Sequence, residues 1–323
     1  MVSTVSSTGN YMAQYTFSAS NEGFTIDKLK LKVPNNFATS TTGIKISYKD
    51  KAEATQTQTQ VLAFGAQANA TATYTGLTMY VPANSSANLD VYVDLTSVGT
   101  GYGASGASGA ITLDWDNGFK ATGDSGTSAT TVGSADLTNN TFYVRKSKPT
   151  FAKLDAGTAP TTKLYRFSVA ADNAGNIDIK QLAFNIVTSG CDVTSLKLYD
   201  VDGSTLTTTG VTPTWNGSSG DASLLIGAVD DTVETISATA KTYELKGTVT
   251  GFSTTSGDSI TVSFKQDTAA VNTLGAYTNG ADGAYTADEG NIWSDRSASS
   301  HTTVTTDWTN GYLLKDMSTS QSF

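Results

Sequence analysis

Internal repetition is the feature that most constrains how this chain can fold. Five short blocks occur twice and in the same order, and such self-similarity is the mark of repeated structural units. The paired blocks begin at Tyr15 and Tyr165, Gly43 and Ser195, Asn88 and Thr242, Gly109 and Asp258, and Asp136 and Asp307. A length of 323 residues is also what two domains of about 150 residues each require. The repeat predicts two copies of one domain, spanning 1–147 and 148–323, with a C-terminal extension on the second copy.

Within each block, apolar and polar residues alternate over five to eight positions. This period of two is typical of a β-strand that is buried on one face, and clusters of Gly, Asn, Asp, Ser and Thr between the blocks favour turns. The residues expected on the buried face of the first copy are Tyr15, Phe17, Leu29, Leu31, Val33, Ile44, Ile46, Leu89, Val91, Val93, Ile111, Leu113 and Trp115. About seven short antiparallel strands per copy predict an all-β fold of two tandem immunoglobulin-like antiparallel β-sandwich domains. The Cys and Trp spacing of antibody domains is absent from the sequence, so the prediction concerns architecture alone.

The last of the five blocks repeats a distinctive phrase, "DLTN" at 136–139 and "DWTN" at 307–310. Asp and Thr side chains readily bond nearby backbone amides, and a buried Leu137 or Trp308 between them would anchor a turn. We interpret the phrase as a structural corner that leads into the last strand of each copy. The alternative interpretation is a binding site that is used twice.

Composition restricts the classes of partner. The chain carries 29 acidic against 20 basic side chains, and this balance argues against nucleic acid, which selects a basic surface. The single cysteine, Cys191, excludes an intrachain disulfide framework. Richness in Thr, Ser and Asn with few charges favours an extracellular location. No apolar run approaches the ~18 residues of a membrane span, and residue 1 does not open a signal peptide, so we expect any secretion signal to have been removed.

Catalytic patterns are weak. His301 is the only histidine, and it would have to serve as the base of any hydrolase triad. "GDSG" at 123–126 and "GDSI" at 257–260 imitate hydrolase nucleophile motifs but lack the flanking pattern of those families, and short motifs have a high false-positive rate. Zinc would need several His or Cys ligands. We therefore expect no enzymatic activity and no organic cofactor.

Calcium is the one cofactor that the sequence leaves open. Carboxylates and loop carbonyls are its ligands, and the segment 282–295 brings together the largest set of them. The predicted ligands are Asp282, Asp288, Glu289 and Asp295. Smaller acidic clusters occur at Asp200 with Asp202 and at Asp114 with Asp116 and Asn117, and the alternative interpretation of all three is turn chemistry.

Three segments carry a resemblance to known proteins. The C-terminal "WSDRSASSHTTVTTDWTNGYLLKDM" resembles a terminal module of long surface proteins of ultra-small, candidate-phylum bacteria. "KPTFAKLDAG" and "YRFSVAADNAGNIDIKQLAFNIV" resemble the opening strands of the Ig-like repeats in those proteins. The resemblance implies an exported, repetitive, cell-surface protein of the surface-layer or filament type.

The function expected from these observations is structural: self-assembly into an extracellular filament or surface layer, with other copies of the chain as partners. Head-to-tail assembly is expected because the last residues follow the final strand without a third domain. The residues expected at that contact are Met317, Ser318, Thr319, Ser320, Gln321, Ser322 and Phe323 of one copy and Met1, Val2 and Val5 of the next. The alternative is an adhesin or carbohydrate-binding module in which sugars stack on Tyr102, Trp115, Trp215, Tyr277, Tyr285 or Trp293.

Overall fold

The structure of the protein is a computed structural model. It describes residues 8–62, 70–99, 103–161, 163–201, 220–225 (backbone only), 233–268, 290–302, 305–314, 317 and 319–323. The chain divides into two compact units, Met1–Arg145 (unit 1) and Lys146–Phe323 (unit 2). Antiparallel sheets dominate both units, which confirms the all-β class.

Unit 1 contains twelve described strands and one short helix. The strands are β1 (Asn10–Ala19), β2 (Phe24–Val33), β3 (Thr41–Lys49), β4 (Thr55–Val61), β5 (Ala70–Val81), β6 (Ser85–Leu95), β7 (Ser108–Gly109), β8 (Thr112–Leu113), β9 (Lys120–Gly123), β10 (Ser128–Ala129), β11 (Leu137–Thr138) and β12 (Phe142–Tyr143), and the helix is α1 (Asn35–Ala38). Sheet 1A has the order β1-β6-β3-β4. Sheet 1B has the order β10-β9-β2-β8-β11, and β5 pairs with the other side of β2.

The core of unit 1 lies along the alternating apolar positions of these strands. In β2, Leu29, Leu31 and Val33 are fully buried, while the lysines between them remain partly exposed. The other residues expected on the buried face are also buried, except Trp115, which is half-buried. The two sheets thereby enclose one apolar cluster, a β-sandwich-like arrangement.

Unit 2 contains eleven described strands. They are β13 (Pro149–Leu154), β14 (Lys163–Ala171), β15 (Ile177–Ser189), β16 (Asp192–Asp200), β17 (Gly220–Leu225), β18 (Glu234–Ile236), β19 (Lys241–Thr250), β20 (Ser259–Phe264), β21 (Ile292–Ser294), β22 (Trp308–Asn310) and β23 (Gln321–Ser322). Sheet 2A has the order β13-β14-β19-β16, and sheet 2B has the order β22-β21-β15-β20-β23. Strands β17 and β18 pair with the other side of β15. Aromatic rings fill the core, where Phe264 contacts Phe167 and Phe184 with ring centroids 4.9 Å apart.

The two units share a strand order. β1, β6 and β3 correspond to β14, β19 and β16, because each set forms consecutive strands of the first sheet. In the second sheet, β2 pairs with β9 along its first half and with β8 along its second half, as β15 does with β21 and β20. Both central strands shift register at the same place, between Ile26 and Lys28 in β2 and between Ile179 and Gln181 in β15.

The repeated phrase "DLTN"/"DWTN" does not follow this correspondence. Leu137 and Thr138 form β11, which pairs with β8, whereas Trp308 begins β22, which pairs with β21. The counterpart of β11 is instead β23, because β23 pairs with β20. The expectation that both phrases lead into equivalent last strands is therefore wrong. The two phrases also differ in burial, since Leu137 is 55% exposed and Trp308 is 0% exposed.

Among the described residues the only helix is α1, with four residues, and a helix of that length cannot cross a membrane.

Candidate functional site

Asp295 is the one predicted calcium ligand within the described residues; Asp282, Asp288 and Glu289 lie outside them. The Asp295 side chain is fully buried. One carboxylate oxygen accepts the Lys146 amide at 2.8 Å, and the other accepts the Ser297 amide at 3.2 Å. Asp295 therefore caps backbone amides at the start of unit 2 and in the loop after β21.

Asp114, Asp116 and Asp136 bring three carboxylates within 4.8 Å of one another in unit 1. Two lysines already form ion pairs with this cluster: Lys30 Nζ lies 2.7 Å and Lys32 Nζ 3.1 Å from the Asp114 carboxylate. Burial raises the pKa of Asp114, but the hydrogen bonds from the two lysines outweigh burial and lower the pKa to about 2. The cluster is an ion-pair network across the ends of β2 and β8.

His301 is the centre of a second buried network, in unit 2. Its Nε2 lies 2.9 Å from the Asp178 carboxylate and its Nδ1 lies 2.9 Å from the Asp307 carboxylate. The side chains of Asp178 and Asp307 are 1% and 2% exposed, and Arg296 also donates to Asp178. Both ring nitrogens of His301 therefore face buried carboxylate oxygens.

Further hydrogen bonds fix the two carboxylates of this network. Thr235 donates to Asp178 at 2.7 Å, and Thr305 donates to Asp307 at 2.6 Å. Burial raises the pKa of Asp307, but the Thr305 hydroxyl, the Ala298 amide and the charge of His301 together lower it below its usual value. The His301 ring packs against Trp308, with centroids 5.3 Å apart. The sequence did not point to Asp178, because a polar residue within a strand is expected to face solvent.

The geometry of the hydrolase-like motifs differs from that of a triad. Both His301 nitrogens face carboxylates, and Nε2, where a triad would place its nucleophile, contacts the Asp178 carboxylate. Ser125 lies on an exposed turn, where its hydroxyl bonds to Thr127 at 2.9 Å and its amide donates to Glu22. Ser259 begins β20, which is paired along its length with β15.

The C-terminal residues are engaged within their own unit. Gln321 and Ser322 form β23 and pair with Val262 and Thr261 of β20. Met317 is 1% exposed, and the Tyr165 hydroxyl donates to the Thr319 carbonyl at 2.6 Å. Gln321 and Ser322 thus already pair within sheet 2B, and the expected contact of the last residues with another copy stays a prediction. Of the other residues predicted at the contact, Ser320 and Phe323 also belong to this terminal segment, while Ser318, Met1, Val2 and Val5 lie outside the described residues.

Strand β4 presents a different kind of edge. Within the described part of the chain it pairs with β3 alone. The Asp50 amide donates to Ala54 at 3.0 Å and the Leu62 amide donates to Thr42 at 2.8 Å, so the even-numbered residues of this hairpin are the ones bonded across it. The N–H and C=O groups that point away from β3 are consequently those of the exposed residues Thr55, Thr57, Thr59 and Val61.

The other edge strands that the structure describes carry features that discourage pairing with another chain. β1 and β5 contain register shifts, β13 contains Pro149, and β16 contains charged residues and a register shift. β17 contains Asp221 and β18 contains Glu234. The strands β7, β10, β11, β12, β22 and β23 have two or three residues each. β4 has seven residues, "TQTQTQV", with regular register, no charge and no proline. The uncharged Thr and Gln alternation was visible in the sequence, but its place at a sheet edge was not.

A groove of about 380 Å³ lies on the outer surface of sheet 1A. Its lining residues are Gln14, Ser47, Tyr48, Lys49, Glu53, Thr55, Tyr80, Pro82, Ser86, Ala87, Asn88 and Asp90. The Gln14 amide donates to Asp90 at 2.9 Å. Among the aromatic residues predicted to stack on sugars, Trp293 is 5% exposed and its indole N–H donates to Asn310, so it serves the fold. Trp115 is half-buried, and the others, Tyr102, Trp215, Tyr277 and Tyr285, lie outside the described residues.

No protein-family model matches this chain, and a search of curated proteins finds no relative.

Proposed function

We propose that this protein is a structural component of the cell surface, in which two immunoglobulin-like sandwiches in tandem self-assemble into an extracellular filament or layer. The observation that carries the proposal is the edge of β4. In this strand of seven regularly paired residues without charge or proline, the outward N–H and C=O groups of Thr55, Thr57, Thr59 and Val61 have no backbone partner among the residues that the structure describes. Such an edge is a template for strand addition, because main-chain hydrogen bonds pair without requiring a particular sequence.

The polar clusters support the same function, since their side chains are used inside the units. Asp295 caps two amides, Asp114 is neutralised by Lys30, and His301 is held between two carboxylates. Their hydrogen bonds stabilise the fold. The resemblance of the second unit to bacterial surface repeats favours the extracellular location.

Negative-stain electron microscopy of the full chain tests the proposal. We expect filaments or sheets whose amount grows with protein concentration, with sedimentation velocity reporting the same growth in solution. A folded chain that remains a monomer up to millimolar concentration would overturn the structural role.

A second candidate function is glycan binding, and the groove on sheet 1A favours it. The side chains of Gln14, Asn88 and Asp90 offer paired donors and acceptors of the kind that recognise sugar hydroxyls. Asn88→Ala together with Asp90→Ala should abolish retention on a glycan array if the groove is the site. Equal retention of this variant and the unaltered chain would exclude the groove.

A further inference from the structure

The geometry of β4 assigns a definite partner to this edge: we infer that β4 pairs antiparallel with β4 of a second copy, about a two-fold axis at Gln58. The inference rests on the proposed function, because it names the contact through which copies of the chain meet. It adds the strand, its orientation and its register.

The register follows from the outward-facing residues. An antiparallel pair joins residues whose N–H and C=O groups face each other, so odd-numbered residues of one β4 must lie opposite odd-numbered residues of the other. Placing the axis at Gln58 sets Thr57 opposite Thr59 of the second copy, and Thr55 opposite Val61 of the second copy. Every outward group of β4 is used in this register, which gives about eight hydrogen bonds between the copies. A shift by one pair in either direction leaves outward groups unpaired.

The side chains suit the same arrangement. Thr57 and Thr59 are β-branched and exposed, and β-branched cross-strand pairs stabilise antiparallel sheets. Val61 is 84% exposed, and pairing would cover it with Thr55 of the second copy. No charge lies on the strand, so the two-fold axis brings no like charges together within it, although the chain as a whole has a net charge of −9.

Pairing would join the two copies of sheet 1A into one continuous sheet of about eight strands. The contact is isologous, so by itself it closes a dimer. A filament or layer then needs a second contact elsewhere on the chain. A variant that loses the β4 pairing can therefore be distinguished from one that loses the second contact.

The first experiment compares two charge-matched variants of the full chain by sedimentation equilibrium. Thr57→Lys with Thr59→Lys places like charges directly opposite across the inferred pair, which destabilises it. Thr122→Lys with Ser134→Lys adds the same charge at exposed positions of unit 1, on a strand with neighbours on both sides and in a loop. We expect the β4 variant to weaken dimerisation by about a hundredfold or more, and the control to dimerise like the unaltered chain. Circular dichroism and melting curves check that both variants are folded.

The second experiment tests the register. In a chain carrying Cys191→Ala, Gln58→Cys should form an intermolecular disulfide under mild oxidation, because the axis brings the two copies of this position together in a closely spaced, non-hydrogen-bonded pair. Gln56→Cys is the matched control on the same face of the strand. Its two copies lie about 14 Å apart along the strands, which is too far for a disulfide.

The outcomes separate the inference from the proposed function. Assembly that is unchanged in a folded β4 variant, or crosslinking that is equal at positions 56 and 58, overturns the self-pairing of β4 and leaves the structural role standing. A monomeric unaltered chain overturns both. Loss of dimerisation in the β4 variant alone, with crosslinking at position 58 alone, supports the inference.

Discussion

The central strands β2 and β15 occupy equivalent positions but are covered differently. In β2, burial alternates, and the face that carries Lys28, Lys30 and Lys32 remains partly open to solvent. In β15, every residue from Ile177 to Phe184 is buried, because the segment after β21 covers the second face with Trp308 and His301. When a second layer covers a sheet face, the polar side chains on that face become buried and need hydrogen-bond partners within the protein. Unit 2 accommodates Asp178 there by surrounding it with Arg296, Thr235 and His301.

The largest loss of stability expected from this difference is at Trp308, which takes the place of Leu137 in the repeated phrase. Trp308→Ala should destabilise unit 2 by about 4 kcal/mol, because it removes a fully buried ring from the covering layer. Leu137→Ala, in the same phrase of unit 1, should change stability by less than about 0.5 kcal/mol, since Leu137 is exposed. Calorimetric melting of the full chain measures both. Equal costs at the two positions would contradict the difference in covering.

The buried network of His301 should have the next largest effect. His301→Ala removes the ring contacts to the buried Asp178 and Asp307 carboxylates and should cost about 3 kcal/mol. The matched change in unit 1 is Asp27→Ala, which removes the Lys120 ion pair at the corresponding register shift. That pair is largely exposed and should contribute less than about 0.5 kcal/mol. Urea unfolding reports both values, and a cost below about 1 kcal/mol for His301→Ala would show that the network is not stabilising.

Acid should weaken unit 1 through Asp114. Its folded pKa of about 2 lies below the unfolded value of about 3.9, so its contribution is present above pH 4 and is lost as the pH falls from about 4 towards 2. Asp114→Asn should cost about 2 kcal/mol at pH 7, since it leaves Lys30 without its charged acceptor, and should flatten the acid dependence of unit 1. Unit 2 also loses stability in acid through Asp307, whose pKa is lowered, so the Asp114 variant should retain the acid dependence of unit 2. A pH titration of the two melting transitions measures this.

The smallest expected change in stability concerns a feature that the two units share, a buried tyrosine whose hydroxyl donates to a backbone carbonyl. The Tyr15 hydroxyl donates to the Ile111 carbonyl at 2.8 Å, and the Tyr165 hydroxyl donates to the Thr319 carbonyl at 2.6 Å. Burial raises the pKa of both phenols, to about 12 for Tyr165. Tyr15→Phe and Tyr165→Phe should each cost about 1 kcal/mol, because each loses one buried hydrogen bond and keeps its ring. Unequal costs would indicate that the two tyrosines are not equivalent anchors.

The sequence predicted the elements whose signal is local. Alternation of apolar and polar residues identified the buried faces of β2, β3 and β6, because a strand that is buried on one face alone has apolar residues at every second position. The same rule failed for β15, where Asp178, Lys180 and Gln181 have the polarity of a solvent face but are covered by residues more than 100 positions away. Burial by residues that are distant in the chain does not change the local alternation of apolar and polar residues, so the sequence of the strand does not reveal it.

The surroundings of the predicted site residues also depend on contacts that are distant in sequence. Acidic clusters in loops suggested calcium, but the roles of Asp114 and Asp295 depend on Lys30 and on the Lys146 amide, which are distant in sequence. The C-terminal residues read as an unpaired tail because two-residue strands such as β23 have no recognisable pattern. The position of β4 at an edge likewise depends on sheet order, which composition does not encode.

The hydrogen bond between Asp295 and the Lys146 amide has a mechanical consequence. Any tension transmitted along the polypeptide from unit 1 reaches unit 2 first at Lys146, just before β13. The acceptor lies 149 residues further along the chain and is fully buried beside β21. Part of a pulling force would therefore pass through this bond to the loop after β21 as well as along the backbone into β13. The first residue of unit 2 is thus held to its own unit at two places rather than one.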